Sequence, residues 1–275
     1  MASGGVRAYS KSAGGVSGAG NKEGYTVGKW FSAALAAAAG VLALAGGASA
    51  ITGGSPTGPS SYTNVGALVG VAPDGTTKLF CSGTVISRTA FLTAAHCVEA
   101  ILALPGARVA VTFDDVVTPS STLIFGTPHI DPAYNQSQSD PQDLAVITFS
   151  SRLPANPVRV APLGYLDTVS LKTATFTNVG YGVSDPVNAP KGPTIEGAGT
   201  RRFSTSTFST LTKGLLKLTE SPGGTCTGDS GGPQFLNGYE VSVTITGDTQ
   251  CKATSVDQRL DTAASLAFLG PYLAH

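Results

Sequence analysis

From residue 51 onward the chain breaks into short β-prone runs, and no stretch carries the apolar spacing of a long amphipathic helix. The runs fall at 65–71, 79–87, 108–113, 144–149, 174–180, 202–208, 214–218, 239–246 and 255–260, separated by Gly, Pro, Asn and Asp. β-Branched and aromatic residues suit a pleated, half-buried surface, whereas Gly, Pro, Asn and Asp supply turn geometry. Many short strands punctuated in this way predict an all-β barrel or sandwich. One exception is 262–273, where Ala263, Leu266, Ala267, Leu269 and Leu273 recur at helical spacing and predict a single closing helix. The stretch 184–199, rich in Pro, Gly and Ala, predicts an exposed loop.

All-β units commonly run to 200–250 residues, so a chain of 275 residues is accounted for by one domain at 51–275 behind a leader at 1–50. The leader has a basic, Gly/Ser-rich start, the apolar run FSAALAAAAGVLALA at 31–45, and Ala48-Ser49-Ala50 as an A-x-A site. That order predicts a secretory signal peptide. The run is short for a bilayer span of ~20 residues and consists mostly of weakly apolar Ala, which disfavours an uncleaved anchor. The chain is therefore expected to be secreted and extracellular, with no membrane partner in the mature form.

The 17 basic and 17 acidic residues balance, but Arg7, Lys11, Lys22 and Lys29 fall in the leader with only Glu23. Removing four basic residues and one acidic leaves 13 against 16, a net −3 after residue 50. Such a charge offers no field for a nucleic acid, and none is expected as a partner. A monomer is expected.

Gly228-Asp229-Ser230-Gly231-Gly232-Pro233 is the most informative segment, because small residues surround one hydroxyl nucleophile. Glycines let the backbone turn sharply enough for N–H groups to point at a developing oxyanion. In a chain with 35 glycines such a loop alone reads equally as a β-turn. Upstream stands Thr93-Ala94-Ala95-His96-Cys97, after strand-like residues at 83–87 and 91–92. A lone His beside a Cys is more often structural, and the only other histidines are His129 and His275, too few for a His-rich metal site. Asp143, at the mouth of the apolar run Leu144-Ala145-Val146-Ile147, supplies an acid, with Asp140 as its rival.

Taken together, the order His96, Asp143, Ser230, the separations of 47 and 87 residues, and the TAAHC and GDSGGP blocks resemble the chymotrypsin-like serine peptidase family. Val179-Gly180-Tyr181-Gly182 is similar to a further family segment, and the resemblance runs from about Ile51 to the C-terminus. It implies two six-stranded antiparallel β-barrels packed around a catalytic cleft, with a short C-terminal helix. The implied activity is serine-type endopeptidase: Ser230 attacks, His96 acts as general base and acid, and Asp143 orients it. The backbone N–H groups of Gly228 and Ser230 would form the oxyanion hole. Two other classes remain open, a non-catalytic binding module on this fold and an esterase using the same residues.

Four cysteines allow three pairings, among which spacing does not choose. The resemblance implies Cys81–Cys97 and Cys226–Cys251. It also makes Ile51-Thr52-Gly53-Gly54 similar to the family's mature amino terminus, with Thr52 where Val is usual. The freed α-amino group of Ile51 would then pair with Asp229. The primary pocket would be set by Gly224, Gly247 and Ser255. No carboxylate stands at those positions, so the expected P1 residue, the one contributing the scissile carbonyl, is small or apolar rather than basic. No cofactor or metal is expected; surface turns account for Asp114, Asp115 and Asp131 as well as calcium binding does. The partner is a protein or peptide substrate.

Overall fold

The computed structural model describes residues 51–135, 137, 139–184, 198–221 and 223–273. The leader, and most of the loop expected at 184–199, lie outside the described residues. Fifteen strands appear among them: β1 (Ser55–Pro56), β2 (Val65–Val71), β3 (Thr77–Ser87), β4 (Ala90–Thr93), β5 (Arg108–Thr112), β6 (Ile124–Phe125), β7 (Thr127–Ile130), β8 (Ala145–Thr148), β9 (Arg159–Val160), β10 (Thr175–Gly180), β11 (Arg202–Leu211), β12 (Leu215–Thr219), β13 (Pro233–Leu236), β14 (Tyr239–Gly247) and β15 (Thr254–Arg259). Three short α-helices accompany them, α1 (Ala95–Leu102), α2 (Tyr165–Thr168) and α3 (Ala263–Leu269).

The strands form two antiparallel bodies, as expected, but the bodies differ. In the second half β10, β11, β12, β15, β14 and β13 close into a six-stranded barrel, with β1 added beside β11 and β9 running parallel to β14. In the first half the order is β6-β5-β2-β3-β4-β8-β7, a seven-stranded sheet curled into a half-barrel. Its edge strands β6 and β7 are consecutive in the chain with only Gly126 between them. The expected pair of closed six-stranded barrels is thus met by one closed barrel and one curl.

The continuous apolar run of β2 follows from its position. Successive strand residues point to opposite faces. Leu68 packs into the core enclosed by the first sheet, with Phe91, Leu92, Val111 and Ile147. Val65, Ala67, Val69 and Val71 face the other way and meet Val179 and Tyr181 of the second half. A strand buried on both faces cannot alternate with polar residues. Fully burying a side chain such as Phe91 contributes about 1.5–3 kcal/mol. A third cluster, Leu166, Phe176, Leu216, Leu218 and Val241, fills the closed barrel.

Arg201, 1% exposed, ties the halves together. It donates to Val65 O, Phe113 O, the Tyr181 hydroxyl and the Thr57 hydroxyl, and pairs with Asp115. The expected closing helix is α3, whose N-cap Thr262 accepts the Ser265 N–H at 3.1 Å; a 3-10 turn at Gly270–Tyr272 completes it.

Candidate active site

His96 is the second residue of α1, and Ala94 at its N-cap has no side chain to satisfy the first-turn N–H groups. Asp143 serves instead: its Oδ1 accepts the His96 backbone N–H at 2.9 Å while Oδ2 lies 2.7 Å from His96 Nδ1. The carboxylate therefore fixes both the ring and the helix that carries it. Asp143 is buried, whereas a third of the His96 side chain is open to solvent. Asp140 is engaged elsewhere, accepting from Gln142 Nε2 at 2.7 Å and Gln258 Nε2 at 3.3 Å. Cys81 and Cys97 form a disulfide that pins α1 to β3. In the chain-entropy view, closing a loop of this size contributes about 3 kcal/mol.

The loop carrying Ser230 docks on the first sheet through Ser82 of β3. The Ser82 N–H donates to Ser230 O at 2.8 Å, and its hydroxyl donates to Gly228 O at 2.9 Å while accepting the Tyr181 N–H. Gly228 and Gly231 have φ of 97° and 80°, a region that strains residues with a Cβ. At Gly231 a Cβ would also collide with Thr93 Oγ1 and Ser82 O, next to the start of α1. The N–H groups of Gly228 and Ser230 have no intramolecular acceptor among the described residues, although Asp229, Gly231 and Gly232 N–H are all bonded. Cys226–Cys251 closes the far side of the loop.

His96 and Asp143 are thus in contact and the Ser230 loop lies against the segment leading into His96. No hydrogen bond joins Ser230 to His96, whose Nε2 lies 3.4 Å from Cys97 Sγ. Donor atoms of Cys81, His96 and Cys97 cluster within 4.8 Å. Zinc requires thiolates, and both sulfurs are committed to the disulfide, so this set does not fit a metal. Asp114 accepts the Thr122 N–H, Asp115 pairs with Arg201, and Asp131 accepts the Ala133 N–H.

Asp229, 1% exposed, accepts N–H groups from Gly182 at 2.8 Å and Cys226 at 2.9 Å. Burial pushes its carboxyl up to about 7, against the pull of those two bonds. Ile51 is fully buried, but in the continuous chain its nitrogen is an amide, and the pair expected with Asp229 cannot form. Thr52 explains its own presence in place of Val. Its hydroxyl accepts the Gly224 N–H at 2.8 Å and stands 2.5 Å from Cys251 O, fastening the segment after residue 50 to the strand-to-loop turn.

A cavity of about 370 Å3 opens beside Ser230, lined by Thr225, Cys226, Thr244, Thr246, Gly247 and Asp248 among others. Of the expected pocket residues Gly247 lines it, whereas Gly224 and Ser255 stand outside the lining. No acid stands at Gly224, Gly247 or Ser255, and Asp248 is the one carboxylate in the cavity's lining. A Cβ at Gly224 would fall on the Glu220 carboxyl. Asp257, bonded to the Ser255 hydroxyl at 2.9 Å, is buried nearby. Neither Glu220 nor Asp257 lines the cavity.

A barrel and half-barrel of antiparallel strands, with this histidine, acid and serine loop where they meet, define a chymotrypsin-like serine-protease fold. The sequence matches the Trypsin family over residues 51–266, and the chain belongs to that family. It is similar to the solved structure of GrC, a granzyme, at 18% identity and a TM-score of 0.62, covering 82% of this chain and 100% of that one. It is also similar to neuropsin, a serine protease expressed in the limbic system of mouse brain, at 20% identity and a TM-score of 0.62, covering 80% of this chain and 99% of that one. These structural likenesses speak to fold alone. No curated protein matches the sequence. Among the described residues no helix is long and apolar enough to cross a membrane.

Proposed function

We propose that the protein is a secreted serine endopeptidase that cleaves peptide bonds through an acyl-enzyme on Ser230. The observation that carries this reading is the double grip of Asp143 on His96, at its backbone N–H and at Nδ1. A carboxylate on Nδ1 selects the tautomer with its proton there and leaves Nε2 as the acceptor a general base needs. As substrate binds, Nε2 comes within reach of Ser230 Oγ; catalytic hydrogen bonds are often loose before that. His96 takes the hydroxyl proton as Oγ attacks the carbonyl carbon, then returns it to the leaving amine. The free N–H groups of Gly228 and Ser230 receive the oxyanion, each worth about 2.7–4 kcal/mol in the transition state. Water repeats the sequence to release the acid.

Leader cleavage after Ala50 would free the Ile51 α-amino group to answer the buried Asp229 carboxylate. An isolated buried charge is costly, and a cation relieves it. Full activity in a form starting several residues upstream of Ile51 would exclude this activation step.

The first test is labelling with a fluorophosphonate, with the adduct located by mass spectrometry and Ser230→Ala as control. Adduct confined to Ser230, together with hydrolysis of peptide substrates, is the expected result. A folded protein that takes no label is a binding module, and one that cleaves esters but no peptides is an esterase. Gly224 and Gly247 suit a small or apolar P1 residue rather than a basic one.

A further inference from the structure

We infer that Ser82, on β3 of the first half, is a positioning residue for catalysis: its hydroxyl sets the angle between the two backbone N–H groups that receive the oxyanion. This rests on the peptidase reading and adds to that site a side chain that touches neither the substrate nor the reacting atoms.

Gly228 and Ser230 lie two residues apart, so three consecutive peptide groups decide where their N–H groups point. In a planar trans peptide the C=O and N–H are antiparallel, and holding the carbonyl aims the N–H the opposite way. The Gly228 N–H belongs to the peptide whose carbonyl, Thr227 O, accepts the Val183 N–H at 2.9 Å. The Ser230 N–H belongs to the peptide whose carbonyl, Asp229 O, accepts the Gly232 N–H at 2.9 Å. Between them lies the Gly228–Asp229 peptide, whose orientation sets how the two donors converge. Its N–H donates to Cys226 O within the same loop, and its carbonyl, Gly228 O, accepts the Ser82 hydroxyl at 2.9 Å. Of the carbonyls from Thr227 to Ser230, three have backbone donors and Gly228 O has a side-chain one.

Ser82 can hold that angle because it is itself fixed. It is fully buried, opposite Ala67 of β2, and its own carbonyl accepts the Thr93 hydroxyl at 2.8 Å in the segment that leads to His96. Its side-chain oxygen accepts the Tyr181 N–H at 2.9 Å, and its one proton goes to Gly228 O. The next two N–H groups of that segment, Gly182 and Val183, bind Asp229 Oδ1 and Thr227 O. One hydroxyl thus joins β3, the segment 181–183 and the Ser230 loop. The hinge it restrains is a glycine with φ of 97°, where no Cβ resists rotation. Ser82→Ala orphans Gly228 O and the Tyr181 N–H together, in a place closed to water, and the cost of those orphans favours a rotated loop.

The test compares Ser82→Ala with the unmodified protein in kcat, KM and affinity for a peptide aldehyde, whose hemiacetal with Ser230 places an oxygen between the two N–H groups. In the variant kcat is expected to fall about a hundredfold with KM nearly unchanged, the low end for loss of one oxyanion donor. Aldehyde affinity should fall by a similar factor, while the pH of half-maximal activity, set by His96, stays in place. Ser265→Ala, which removes another fully buried hydroxyl from a backbone carbonyl, Arg259 O, should lower Tm without this kinetic split. A folded Ser82→Ala with unchanged kcat, or with KM raised and aldehyde affinity intact, overturns the proposal and leaves Ser82 as a brace between the halves.

The crystal structure of Ser82→Ala reads the loop without catalysis. Rotation of the Gly228–Asp229 peptide is expected, and a loop unchanged from the unmodified protein refutes the positioning role whatever becomes of the peptidase reading. Should Ser82→Ala fail to fold, the crystal structure of the unmodified protein with the aldehyde decides. A Ser82 hydroxyl on Gly228 O, with both N–H groups on the bound oxygen, is expected there; a hydroxyl turned away from Gly228 O overturns the proposal.

Discussion

At Asp143 one carboxylate does two jobs that a single substitution separates. Asp143→Asn keeps an oxygen for the His96 backbone N–H, so α1 retains its N-terminal partner and the fold should persist. Its amide can present NH2 to Nδ1 and so favour the wrong tautomer, with Nε2 carrying the proton. The expected outcome is kcat lower by about ten-thousandfold with Tm nearly unchanged. A loss below tenfold in a folded variant would mean that His96 is not the base. Ser82 is the quieter partner at this scale. It is fully buried, and its backbone and hydroxyl hold the Ser230 loop, yet nothing in the sequence separated it from any other strand serine.

Among the elements, α3 depends on its first residue. Thr262 accepts the Ser265 N–H and donates to the Ser265 hydroxyl, the two bonds that start the helix. Thr262→Ala should destabilise the protein by about 1 kcal/mol in denaturant unfolding, and activity should be unaffected. This helix was legible because five apolar residues kept its period. The nine expected strand runs all appear, because two-sided burial or alternation marks each in sequence. β13 was not legible: it is four residues long, starts with Pro, and centres on a polar residue. Gln234 is nonetheless fully buried, because its amide is satisfied by Ser242 and Thr244 of the neighbouring strand. The eight residues of α1 were likewise too few for a period, although they carry His96. Short motifs announced the site's residue types, whereas the hold of Ser82 on the Ser230 loop depends on how the two halves meet, which spacing does not encode.

Over the whole molecule, buried acids set a pH limit. Burial lifts Glu220 and Asp229 to about 7, Glu240 to about 8, and Asp257 well above its ordinary value. An acid whose folded pKa is raised keeps its proton longer in the native state than in the unfolded chain. Its contribution is fully present below the unfolded values, near 3.8 for Asp and 4.5 for Glu, and is lost as pH rises through the folded ones. Stability should therefore decline from about pH 5 to pH 9. Glu240 isolates the effect, for it lies apart from the Ser230 loop on β14 and both its oxygens are buried without a hydrogen-bond partner. The Thr84 hydroxyl faces it, beyond hydrogen-bond geometry, and offsets burial only in part. Glu240→Gln removes the ionisation and forfeits no hydrogen bond, so its Tm should exceed that of the unmodified protein at pH 9 and approach it at pH 5. Parallel Tm curves across that range would show that Glu240 stays neutral or reaches water. A form starting at Ile51 should decline less steeply than the continuous chain, because its amino group relieves Asp229 and leaves the other three acids as they were.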